Sequence, residues 1–310
     1  MTGQGVTVVV PTVDRPDELR RCLVALAEQS VAPAAVVVVD QGGLPGTALL
    51  IEEMVSRGLR VRHLRAPLRG VSTARNVGLR AVTTSWVAVT DDDCVPSPDW
   101  VESVVRAAAS PEAPDVVTGR VLPLEAEGEA VHTLSLRVST QRRAYHGRVF
   151  PWRTGTGGNM ALRVETMRRM GGYDERLGPG TPGQAGEDLE VLYRLLASGA
   201  VVLFDPDVLV LHNRVTAARR LTSRRSYGFG MGAFVGIWWI ADPWVLKALI
   251  RWSAERVLST ARAVSRGDLR RVREEWFLTR GLVAGLRYGV RLGPPLRPLR
   301  YVAARPGDDG

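Results

Sequence analysis

The sequence predicts an α/β protein: a mostly parallel sheet with helices on both faces, followed by a helical C-terminal region. Three observations lead there. Short β-branched runs alternate with amphipathic helical stretches through residues 6–90, the order that produces right-handed β–α–β crossovers. Acidic and hydroxyl residues end those runs. The charge of the chain divides near residue 212.

The elements follow in order. Val6–Pro11 reads as a buried strand ended by proline. Residues 16–29 open with Pro16 and two acids, then place Leu19, Cys22, Leu23 and Leu26 on one helical face. Ala35–Asp40 is a second apolar run, closed by the turn residues Gln41-Gly42-Gly43. A helix over 47–57, a strand over 60–65, a helix over 72–82 and a strand over 86–90 continue the alternation. Beyond Pro98-Asp99-Trp100, a helix to Ala109 and a strand over Val116–Val121 are expected. Residues 125–150 read as irregular helix, Gly155–Asn159 as a loop, Val164–Met170 as a short helix and Gly178–Gly186 as a glycine-rich loop. Glu187–Ser198 reads as a helix, and Val201–Leu203 and Val208–Leu211 as two strands. From Thr216 the pattern is helical. The expected division is a catalytic domain over 1–212 and a basic, Trp-rich helical region over 213–310.

At 310 residues and 33.8 kDa, with 45% apolar and 24% charged residues, the chain can bury one large core or two small ones. No fixed-period repeat is present, which excludes solenoid, propeller and collagen-like readings. Two cysteines, Cys22 and Cys94, cannot build a disulfide framework, so a cytoplasmic protein is expected. The run Val6–Val10 reads as a strand rather than the apolar part of a leader. Residues 213–310 carry 18 arginines, Lys247 and 7 acids, a net +12, against −3 for residues 1–212.

In a sheet of this kind, ligands bind beyond the carboxyl ends of the strands. Thr12, Asp40 and Asp91-Asp92-Asp93 all fall there. Any one of them reads equally well as a turn or a cap; three on one edge favour a site. Three adjacent carboxylates repel one another unless a cation neutralises them, and oxygen ligands suit Mg²⁺ or Mn²⁺.

The strand-Asp91-Asp92-Asp93 segment, followed by Pro96 and Trp100, resembles the Asp-x-Asp segment of family-2 glycosyltransferases. So do the opening Val-Pro-Thr with Arg15, Val39-Asp40, and Gly70 to Gly78 with Ala74-Arg75-Asn76. The resemblance continues through Gly157-Gly158-Asn159, Gly172-Tyr173-Asp174-Glu175 and Gly186-Glu187-Asp188 with Arg194, and ends at His212. It covers residues 6–212, and implies a GT-A-like, Rossmann-type fold. One departure is at the second strand, where Asp40-Gln41-Gly42-Gly43 stands in place of consecutive acids followed by Gly-Ser.

The resemblance implies a metal-dependent, inverting transfer from a nucleoside diphosphate sugar, UDP first, to a hydroxyl of a glycan or lipid-linked glycan. Asp188 is then the general base, with Glu187 beside it; the plain alternative is two acids favoured at a helix N-terminus. Pro11, Thr12, Arg15, Asp40, Arg75, Asp91 and Asp92 are expected along the nucleotide sugar. Asp40 has the chemistry to accept from a pyrimidine N–H, and Arg75 to clamp phosphate or base carbonyls. Gly158, Asn159 and Trp152 are expected along the acceptor and donor-sugar region. Asp91, Asp93 and His212 are the metal ligands, and Asn76 is structural.

The tail has two readings. Tyr227 to Trp252, aromatic and flanked by arginines, is expected either on an anionic membrane surface, with the protein peripheral on the inner face of the cell membrane, or packed as a cap. No nucleic-acid module is present, so no nucleic-acid partner is expected. Two other classes compete. A nucleotidyltransferase needs a Gly-rich basic loop after the first strand, where this chain has Pro11-Thr12-Val13-Asp14-Arg15-Pro16. A non-catalytic nucleotide-binding or membrane-associated protein would not require Asp91, Asp93, Asp188 and His212 together.

Overall fold

Valines alternate between two cores because successive strand residues point to opposite faces. In β1 (Gly3–Thr12), Val8 and Val10 enter one core and Val9 the other; in β2 (Ala35–Asp40), Val36 and Val38 oppose Val37 and Val39. Both faces are therefore covered, which explains the unbroken apolar runs. The structure is a computed structural model that describes residues 3–66, 68–125, 128 and 131–295.

α1 (Pro16–Ala27), α2 (Pro45–Ser56) and α4 (Trp100–Ala108) cover the first face through Leu19, Leu23, Met54, Trp100 and Val104. α3 (Val71–Ala81), α5 (Val164–Met170) and α6 (Glu187–Ala197) cover the second through Ala74, Leu79, Met167, Val191 and Leu195. With β3 (Val61–Arg65), β4 (Thr84–Thr90), β5 (Cys94–Pro96), β6 (Val116–Pro123), β7 (Arg143–Tyr145), β8 (Asn159–Arg163) and β9 (Val202–His212), the sheet order is β3-β2-β1-β4-β8-β6-β9-β5. β7 also pairs with β9.

β3, β2, β1 and β4 are parallel, as the alternation requires. β8 runs antiparallel to both β4 and β6, so the second half of the sheet is mixed. Two expectations change. Residues 125–150 show no helix among the described residues; isolated bridges Val121↔Arg137 and His132↔Val215 and the strand β7 lie there instead. The two strands expected after Ala200 are one, β9. Its register shifts against β6 at Gly119, where the Val208 backbone packs into the space a side chain would need. That irregularity accommodates Pro206 within a strand.

The tail forms α7 (Ala217–Trp238), α8 (Trp244–Ser265) and α9 (Leu269–Leu292); residues 296–310 lie outside the described residues. Gly228, Gly232 and Gly236 on α7 face Gly281, Gly285 and Gly289 on α9, each against the partner helix's backbone. Spacing by four puts each trio on one stripe, and the missing side chains let the two backbones touch. Phe234 and Trp238 of α7 pack edge-on against Tyr193 of α6, at centroid distances of 5.1 and 5.3 Å. The Tyr193 hydroxyl donates to Asp242 at 2.6 Å. The aromatic run expected to face either a membrane or the domain is thus buried as far as Trp238. Outward apolar residues lie further on, at Ile240, Ile250, Val257 and Val264. No helix among the described residues is long and apolar enough to cross a membrane.

Candidate active site

Register builds the site. Thr12 lies opposite Asp40 across β1 and β2, and β4 beside β1 delivers Asp91-Asp92-Asp93 to the same edge. β5 pairs antiparallel with β9, with Cys94 opposite His212. This pairing carries His212, remote in sequence, to Asp93: Nε2 lies 3.6 Å from Oδ1. A cleft of about 1270 Å³ opens over this edge.

The carboxylates are tied to arginines. Thr12 Oγ1 donates to Asp92 at 2.8 Å, and Arg15 reaches Asp92 at 3.2 Å and Asp93 at 3.4 Å. Burial pushes the Asp92 carboxyl up to about 7 against the pull of Arg15. Arg75, 2% exposed, donates to Asp91 at 2.8 Å, to Glu187 at 3.1 Å and to the Gly157 carbonyl at 3.3 Å. Burial disfavours its charge, but Asp91 and Glu187 outweigh that and hold it above its ordinary value. Burial, then the charge of Asp188, pushes Glu187 up to about 7, with Arg75 opposing.

Gly186 allows the Glu187-Asp188 pair to start a helix here. Its φ of 92° is left-handed, and the Gly230 backbone of α7 occupies the space a side chain would take. Asp188 Oδ2 accepts the Gly157 N–H at 3.2 Å and Oδ1 its neighbour Leu189 N–H at 2.8 Å. Gly157 and Gly158 pass so close to Arg75 and Asp91 that a side chain on either would crowd them.

His212 Nδ1 lies 2.7 Å from the Asn213 carbonyl, which only accepts. Nδ1 therefore carries a proton, and Nε2 faces Asp93. Asp93, Cys94 and His212 hold donor atoms within 4.8 Å of one another. Burial pushes the Cys94 thiol well up, so it stays protonated. The fitting set for a hard divalent cation is carboxylate oxygen with one imidazole.

Pro11, Thr12, Arg15, Arg75, Asp91, Asp92, Asp93, Gly158, Glu187, Asp188, His212 and Trp152 all line this cleft. Two expected residues do not. Asp40 is 1% exposed; its oxygens take the Gly42 N–H at 2.8 Å and face His63 at 3.3 Å, and its neighbour Gln41 reaches the cleft instead. Asn159 is fully buried, accepting from Trp100 and donating to the Arg120 and Val208 carbonyls, so it braces the sheet. Asn76 is structural as expected: it holds both the N–H and the carbonyl of Tyr173. Sequence reasoning missed Arg137 and the tail residues Arg219, Arg224, Tyr227 and Arg256, which also line the cleft. The one signal for the tail group was its arginine excess.

Residues 7–171 match the description Glycosyl transferase family 2. The chain belongs to glycosyl transferase family 2. Among curated members, it is 28% identical over 232 residues to the pre-mycofactocin glycosyltransferase of Mycobacterium tuberculosis, covering 74% of this chain and 47% of that protein. It is 30% identical over 225 residues to the validoxylamine A glucosyltransferase of Streptomyces hygroscopicus, covering 62% of this chain and 48% of that one. The chain thus spans about half the length of these relatives. Among solved structures, the mannosyltransferase PcManGT of Pyrobaculum calidifontis, in complex with GDP-Man and Mn²⁺, superposes with a TM-score of 0.57 at 18% identity, over 92% of this chain and 88% of that one. A fragment of S. aureus TarS gives 0.57 at 15% identity, over 75% and 64%. These likenesses show the shared GT-A fold.

Proposed function

We propose that the chain is a metal-dependent, inverting glycosyltransferase that moves a sugar from a nucleoside diphosphate donor, a UDP-sugar first, to a hydroxyl of a glycan or lipid-linked glycan. The observation that carries this is one cleft lined both by Asp188 and by the Asp93–His212 pair. The sheet domain up to His212 supplies the catalytic part, and α7, α8 and α9 of the tail form the cap.

Asp93 and His212 would hold Mn²⁺ or Mg²⁺; Asp91, expected as a further ligand, is paired with Arg75 at 2.8 Å and lies outside the cluster of donor atoms at Asp93, Cys94 and His212. Such an ion, when bound, stabilises the charge that develops on a leaving diphosphate. PcManGT with GDP-Man and Mn²⁺, and GalNAc-T7 with UDP, GalNAc and Mn²⁺, support that assignment by their fold. Asp188 takes the proton of the attacking hydroxyl, held in place by the Gly157 N–H. Arg75 fixes Glu187 and Asp91 together, so the base side and the cation side keep a set distance. Thr12 and Arg15 hold Asp92 beside the nucleotide. Asp174 and Glu175 are poor alternatives for the base, since Arg176 clamps the first and Thr73 and Asn76 the second.

The tail supports docking on an anionic membrane surface through α8 rather than through the buried aromatic run. Leu246, Ile250, Val257 and Val264 are exposed on one stripe of α8, with Lys247 about a quarter-turn from it.

The test is incubation with a panel of nucleoside diphosphate sugars, Mn²⁺ and candidate acceptors, following nucleoside diphosphate release and the product's anomeric configuration by NMR. Release from one donor with inverted configuration is expected. No release from any donor overturns the transferase reading; retained configuration overturns the base role of Asp188.

A further inference from the structure

The tail side of the cleft carries its own charge pattern. α7 brings Arg219 and Arg224 to it, α8 brings Arg256, and the segment before β7 brings Arg137. Glu275 of α9, 2% exposed, takes both Arg224, at 3.3 Å, and Arg256, at 3.5 Å. Its neighbour Glu274 is taken by Arg220 at 2.7 Å. Three guanidiniums thus meet two carboxylates. Arg137 hydrogen-bonds only the carbonyls of Trp152 and Gly155, and the Arg219 guanidinium has no partner among the described residues.

Buried polar atoms there lack partners as well. The Nε atoms of Arg137, Arg224 and Arg256 have none among the described residues. Burial pushes Arg137 and Arg224 below their ordinary values, and nearby acids only partly offset it. Arg15 and Arg75, on the sheet side, are held above theirs. Struts between α7, α8 and α9 would explain the Glu275 pairs. They leave the surplus cation and the buried Nε of Arg137 unexplained, with the exposed Arg219 at the mouth of the same wall. An oxyanion would supply the missing charge and acceptors.

We propose that this wall is an oxyanion subsite, in which Arg137, Arg219, Arg224 and Arg256 take a phosphate or carboxylate group of the acceptor, making the acceptor an anionic molecule. The proposal rests on the transferase reading, because Asp188 fixes which side faces the acceptor. Arg137 feels the charge of Asp188, and Tyr227 on the same wall feels Asp188, Glu187 and Asp91. The donor's diphosphate is the other source of such a group, but its counter-charge would be a cation held on the opposite wall by Asp93 and His212.

Inorganic phosphate titrated calorimetrically into the full chain, saturated with UDP and Mg²⁺ at constant ionic strength, tests this. Wild type should bind phosphate while UDP stays bound. Arg219→Gln, at an exposed position, should weaken phosphate about tenfold, the loss of one charge-assisted contact. Arg256→Gln with Glu275→Gln should weaken it similarly; removing the pair together avoids stranding a buried carboxylate. Undiminished phosphate binding in Arg219→Gln and in the folded double variant, or no phosphate binding beside UDP, overturns the subsite. Phosphate displaced one-for-one by UDP assigns the wall to the donor's diphosphate and overturns the acceptor assignment. If UDP itself fails to bind, the transferase reading fails separately, and the same titration without UDP still decides whether the wall takes an oxyanion.

Discussion

On the sheet side of the cleft, five carboxylates (Asp91, Asp92, Asp93, Glu187 and Asp188) stand around two guanidiniums, Arg15 and Arg75. On the tail side, Arg220, Arg224 and Arg256 pair with Glu274 and Glu275, Arg137 and Arg219 line the cleft without a carboxylate partner among the described residues, and Glu255 pairs with Arg153 and Arg251. The first wall lacks positive charge, and the carboxyls of Asp92 and Glu187, both raised to about 7 with burial the leading cause, reflect that shortage. On the second wall arginines outnumber acids, and burial lowers Arg137 and Arg224 with nearby acids only partly offsetting it. On the proposed function a divalent cation would complete the first wall, and on the proposed subsite an oxyanion would complete the second. The two walls meet at Gly186, where α7 backbone seats the helix that carries Asp188.

The largest expected effect comes from the cation side. Asp93→Ala should lower transfer by about 10³-fold or more, since several kcal/mol of leaving-group stabilisation depend on the ion it helps hold. Its circular dichroism should match wild type; unchanged turnover would remove the metal role from Asp93. Asp188→Asn keeps the shape of the side chain but cannot take a proton. A loss of about 10²–10⁴-fold in kcat is expected, with UDP binding unaltered. A folded variant turning over at the wild-type rate would place the base elsewhere.

Loosening the α7–α9 seam behind the tail wall should act on stability. Gly285→Leu drives a side chain into the Phe229 backbone of α7, at a cost of about 1–3 kcal/mol by overpacking. The melting temperature should fall while Mn²⁺-supported UDP binding, a property of the other wall, survives. Loss of UDP binding in a folded protein would show that the walls are not separable. The smallest effect is in pH. Glu187 has a folded pKa raised from 4.5 to about 7, so its contribution favours the fold at low pH and is lost as pH rises through that range. Glu187→Gln lacks this loss. Its stability relative to wild type, from urea unfolding, should improve by about 1–3 kcal/mol between pH 5 and pH 8. A difference independent of pH would contradict the raised carboxyl.

The sheet wall was largely legible in the sequence, because strand ends announce themselves. A β-branched run followed by Asp91-Asp92-Asp93 places those carboxylates at a sheet edge whatever surrounds them. Asp40 shows where that logic stops: the strand end was right, but the side chain turned inward to Gly42 and His63, a choice made by tertiary packing. Asn159 sits one residue beyond the cleft-lining Gly158, and strand alternation is enough to bury it. The tail wall was not legible. Gly228, Gly232, Gly236 and Gly281, Gly285, Gly289 keep a spacing of four, a visible sign of two helices in backbone contact, yet nothing local says which helix meets which. Arg137 lies in a segment without periodicity, and only the pairing of Val121 with Arg137 brings it to the cleft.

The central claim, a nucleoside diphosphate sugar held through a divalent cation at Asp93 and His212, is tested most directly by melting temperature. Wild type and Asp93→Ala are scanned against nucleoside diphosphate sugars with and without Mn²⁺, since a ligand that binds only the folded state raises stability by RT ln(1 + [L]/Kd). The expected result is a rise in wild type for at least one donor, dependent on Mn²⁺ and absent from Asp93→Ala. A rise that is the same without Mn²⁺, or the same in Asp93→Ala, would contradict the claim.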